Sequence, residues 1–63
     1  MKEKETLEQA YYAVVTSLYN QFAGSYTTAQ GNAEKEKQAE TLFQHGILHA
    51  RHIYTRALAL LPE

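Results

Sequence analysis

Cysteine is absent from this chain, which excludes disulfides and thiolate metal sites and leaves the redox compartment open. Aspartate is absent too, so every carboxylate side chain belongs to one of seven glutamates. Serine occurs only at Ser17 and Ser25, neither in a strand-turn-helix setting, so the parts of nucleophilic catalysis are missing and no enzyme activity is expected. Gly24 and Gly31 stand alone, which rules out a phosphate-cradling glycine loop. Long apolar runs are also lacking. The stretch from Gln9 to Ala33 carries no formal charge, but Asn20, Gln21, Gly24, Ser25, Thr27, Thr28 and Gln30 break it up. Its longest apolar run, Ala10 to Val15, falls far short of the roughly 20 mostly apolar residues of a membrane span.

No excess of positive charge is present either. Six Lys and Arg stand against seven Glu, for a net charge of −1, and the last third offers only Arg51 and Arg56. A nucleic-acid partner, which calls for a basic stripe to neutralise phosphates, is therefore not expected. The opening residues MKEKETLEQ mix both signs and contain no apolar h-region, so they do not read as a secretory signal, and a cytoplasmic location is the expectation.

What is present is a helical pattern. Apolar residues make up 44% of the 63-residue chain and charged residues 21%, a balance that suits a folded domain and not a disordered one. Thr6 and Gln9 match a capping box, which predicts a first helix over about 6–29. Leu7, Tyr11, Val14, Val15, Leu18, Phe22 and Ala29 form its apolar stripe, with Tyr19 and Tyr26 along the edge. Gly31 and Asn32 mark a turn at about 30–32, with Asn32 as the N-cap of a second helix over about 33–61 that Pro62 ends. Its broad apolar face takes in Ala39, Leu42, Phe43, Gly46, Ile47, Ala50, Ile53, Tyr54, Ala57, Leu58, Leu60 and Leu61. Small residues along its centre would allow another backbone to come close.

Two long helices on a short turn predict an all-α antiparallel hairpin. A chain this short buries about 60% of its unfolded surface at best, and each helix leaves apolar surface uncovered by the other. Dimerisation into a four-helix bundle, or docking on a larger protein, is the expected remedy. The residues expected to line the helix-helix or subunit core are Leu7, Val14, Leu18, Phe22, Leu42, Gly46, Ala50, Ile53, Ala57 and Leu60.

The stretch HGILHARH places His45, His49 and His52 at spacings of four and three. Projected at 100° per residue they share a face within about 60°, centred more than 100° from the apolar stripe. Adjacent pairs have the spacing to chelate zinc or another divalent transition metal. His45 and His52 lie about 10 Å apart along the axis, so a single ion would need ligands from elsewhere, among which Glu8, Glu40 and Glu63 are available. Neither the Glu-x-x-His pair of di-iron bundles nor the His-Glu-x-x-His zinc pattern is present. The primary expectation is a chain without cofactor, with a metal-binding bundle on the histidine stripe as the alternative.

The segment ARHIYTRALALLP, from Ala50 to Pro62, resembles the second helix of a tetratricopeptide repeat. Ala50, Tyr54, Ala57 and Pro62 stand at that motif's spacings, with Leu58 and Leu60 at its apolar places. The likeness covers 13 of 63 residues. Upstream, Ala39, Leu42 and Gly46 are similar to the repeat's first helix, but the gap from Gly46 to Ala50 is one residue short and Gln44 to Ile47 carries no strong turn signal. A full array takes about three repeats of 34 residues. The resemblance implies a peptide- or protein-binding helical surface.

The sequence therefore predicts a small non-enzymatic protein-protein interaction module, a regulator, adaptor or small chaperone, working as a helical-bundle oligomer.

Overall fold

Residues 2–62 are described by a computed structural model of the chain. Two helices, α1 (Lys2–Thr28) and α2 (Ala33–Leu60), pack against each other as a hairpin, and no strand occurs among the described residues.

Helix α1 begins at Lys2, four residues before the expected start. The Thr6 hydroxyl donates to the Lys2 carbonyl oxygen at 2.9 Å, which makes Thr6 an interior helical residue and not a cap. Glu3 and Glu5 in the first turn complement the positive end of the helix dipole. Gly24 lies inside α1, and the Thr27 and Thr28 hydroxyls donate to the carbonyls of Ala23 and Gly24, so the helix continues through the weak helix formers to Thr28.

The turn is built as its residue types require. Gly31 has φ +87°, in the left-handed region that glycine enters without the Cβ penalty. The Asn32 amide donates to the Ala29 carbonyl at 2.8 Å. Asn32 itself is extended, and its side-chain oxygen accepts from the Lys35 amide at 3.1 Å, which makes it the N-cap of α2. At the far end Leu61 is extended, as expected of a residue before proline, and α2 closes at Leu60. Helix α2 runs unbroken through Gln44–Ile47.

The seam between the helices is narrow. Only Ala29, Ala39 and Ala50 are buried among the described residues, and no large side chain is fully enclosed. Half-buried partners meet across it. Tyr11 stacks on Tyr54 with ring centroids 4.8 Å apart, and Phe22 packs on Phe43 at 5.0 Å. Gly46 sits under Leu18, where a Cβ would come within 2.6 Å of a leucine methyl. The space left by Gly46 is therefore taken by the Leu18 side chain of α1 in the same chain, and not by another backbone.

Candidate protein interaction face

A one-layer hairpin has two broad faces, and here they differ in chemistry. One is an open groove. Its half nearer the chain ends is a recess of about 300 Å³ whose lining includes Leu7, Ala10, Val14, His49 and Ile53. Through Leu18 the groove continues past Gln21, Ser25 and Leu42 to a wider recess of about 650 Å³ at the turn, lined in part by Asn20, Thr28, Lys35 and Gln38. The spacing of 14, 18, 21, 25 and 28 on α1, and of 53, 49, 46, 42, 38 and 35 on α2, keeps all of these on one side of their helices. Lys35 is the one Lys, Arg or Glu side chain among the groove residues. Glu34 and Lys37 line an adjoining recess on the outer side of Gln38 and Leu42.

The residues expected to form a core divide in two. Leu7, Leu18, Phe22, Gly46 and Ala57 are half-buried and Ala50 is buried, all along the seam. Val14, Leu42, Ile53 and Leu60 are exposed, at 46%, 70%, 53% and 70%. These four lie on the groove side of their helices, because their positions fall about 60° from the seam on the projection. Ala10, Gln21, Ser25 and Gln38 are among the other groove residues and were absent from the expected set. Their signal was the three-and-four spacing from Val14 and Leu42, hidden by their being small or polar.

His45, His49 and His52 are all exposed. They do not lie alike: His49 lines the apolar recess beside Ala50 and Ile53, whereas His45 and His52 are not among its lining residues. No group of three or more metal-ligating side chains converges among the described residues, and Glu63 lies outside them.

The opposite face is aromatic and acidic. Tyr12, Tyr19 and Tyr26 recur every seven residues and are 56%, 59% and 37% exposed. The carboxylate of Glu8, one turn before Tyr12, pushes that phenol above its ordinary value near 10, with smaller help from desolvation. Tyr26 is pushed the same way by Glu36 and then Glu40, which reach it from α2. No helix of the described residues is long and apolar enough to cross a membrane. No family model, curated protein or solved structure matches the chain.

Proposed function

We propose that this hairpin is a non-catalytic protein-protein interaction module, a regulator, adaptor or small chaperone, that works as a homodimeric four-helix bundle. The observation that carries the reading is surface. A folded monomer of 7.2 kDa exposes roughly 4,100 Å² by the usual size scaling, and this chain exposes 5203 Å². The excess, on the order of 1,100 Å², is close to the roughly 800 Å² that each partner buries in a standard interface.

Shape supports the same reading. The radius of gyration is 14.8 Å, against roughly 11 Å for a compact chain of this length. Domains are ordinarily built of at least two packed layers around a core, and a single hairpin supplies one. The exposed tyrosines of the outer face suit a surface that meets further protein, since aromatic residues are enriched at interfaces.

The test is light scattering coupled to size-exclusion chromatography at neutral pH, run with chelator and with zinc. A mass twice the chain's 7.2 kDa, indifferent to chelator, is the expected result. A monomer in every condition overturns the reading, and a dimer seen only with zinc transfers the function to His45, His49 and His52.

A further inference from the structure

We infer that the occupant of the groove is a second copy of the chain, seated face to face about a two-fold axis that runs along the hairpin, so that both turns lie at the same end and α1 of each copy packs on α2 of the other. The inference rests on the dimer reading above and specifies its interface.

Two face-to-face arrangements satisfy two-fold symmetry. With the axis along the hairpin, each level of one groove meets the same level of the other. With the axis across the hairpin, the turn end of one copy covers the open end of the other, and like helices stack. Polarity separates the two. Toward the open end the groove is mainly aliphatic, at Leu7, Ala10, Val14 and Ile53, with His49, Tyr11 and Tyr54 also in its lining, and toward the turn it is polar, at Asn20, Gln21, Ser25, Thr28 and Gln38. The lengthwise axis lays aliphatic on aliphatic and sets amides and hydroxyls against one another, where they can exchange hydrogen bonds. The crosswise axis lays Gln21 and Gln38 against aliphatic side chains, and a polar group buried without a partner is costly.

Charge points the same way. Lys35 is the charged residue of the groove at the turn end. At the open end, Glu3 lies seven residues before Ala10 on the same stripe of α1, and Arg56 lies seven residues beyond His49 on α2. The lengthwise axis brings Glu3 toward the end of α2 that carries Arg56 of the partner subunit, an attractive pairing made twice by symmetry. The crosswise axis instead brings Glu34 and Lys35 to that end together, charges of opposite sign that offset each other beside Arg56.

The area fits a second copy. The Cα trace of the hairpin spans 51 × 15 Å, a flat footprint of about 750 Å², of the same order as the roughly 800 Å² that each partner buries in a standard interface.

Because the chain has no cysteine, Gln30→Cys carries a single nitroxide label at an exposed site in the turn, outside the lining of the groove. In the dimer peak, a spin-spin distance within about 25 Å is expected, from interaxial separations of about 8–10 Å plus the label arms. A distance of roughly 40 Å, about 13 residues of helix on each side of a crosswise axis, overturns the arrangement while leaving the dimer intact. A monomeric peak overturns both.

A second, chemically independent readout is the dimer dissociation constant. Arg56→Glu is expected to weaken the dimer about three- to tenfold at low salt, and Glu3→Arg added to it is expected to recover the loss. No loss on Arg56→Glu alone is the crosswise result, because Glu34 and Lys35 offset each other there.

Discussion

Gly46 shows how much one missing methyl decides. A Cβ there would meet the Leu18 side chain at 2.6 Å and 3.3 Å, so Leu18 fills the space that any side chain at position 46 would need. Gly46→Leu is therefore expected to destabilise the fold by about 1–3 kcal/mol through overpacking, read as a lower melting temperature and a weaker assembly. An unchanged melting temperature and association state would show that the helices do not rely on that approach. Tyr12 and Tyr26 make a second residue-scale point, set by charge. Each phenol has its pKa raised in the folded chain, so the neutral form is the one the fold prefers. The contribution is fully present below the ordinary tyrosine value near 10 and is lost as pH rises through the raised folded values. In a titration of phenolate absorbance, Glu8→Gln is expected to return Tyr12 toward 10 and to leave Tyr26 where it is. If Glu8→Gln left the curve unchanged, Glu8 would not be what perturbs Tyr12.

At the scale of elements, the hairpin depends on Gly31 and Asn32. Asn32→Ala removes the acceptor for the Lys35 amide and is expected to cost about 1 kcal/mol, with Asn32→Asp or Asn32→Ser restoring most of it in chemical denaturation. Equal loss in all three variants would mean that the side chain does something other than cap α2. This turn was legible in the sequence because glycine and asparagine have strong positional chemistry, and the two-helix architecture was legible because apolar spacing is a global signal. The start of α1 was less so. Thr6 with Gln9 matches a cap pattern, but the preceding KEKE residues are good helix formers and the helix runs on to Lys2, leaving the Thr6 hydroxyl to bond backward. The groove was only half legible. A projection gathers apolar residues into one broad stripe and cannot say which of them meet the other helix of the same chain. Val14 and Leu18 share that stripe, yet Leu18 lies against Gly46 while Val14 stays 46% exposed.

For the whole molecule, the question is which exposed apolar residues lie on an interface. Ile53 and Leu48 give the contrast, since both are aliphatic, both are on α2, and they are 53% and 59% exposed. Five residues apart, they project about 140° from each other, Ile53 into the groove and Leu48 away from it. In an isolated hairpin, lysine at either position is expected to change stability by no more than about 0.5 kcal/mol, as for other surface sites. In a dimer closed over the groove, Ile53→Lys sets a charge against apolar side chains at an interface, while Leu48→Lys stays in water. The expected outcome is that Ile53→Lys elutes as a monomer at micromolar concentration and loses the concentration dependence of its melting temperature, while Leu48→Lys keeps both dimer and dependence. Were the two variants to behave alike, the groove would have no special standing among the exposed surfaces of the hairpin, and the excess surface of the chain would need another explanation.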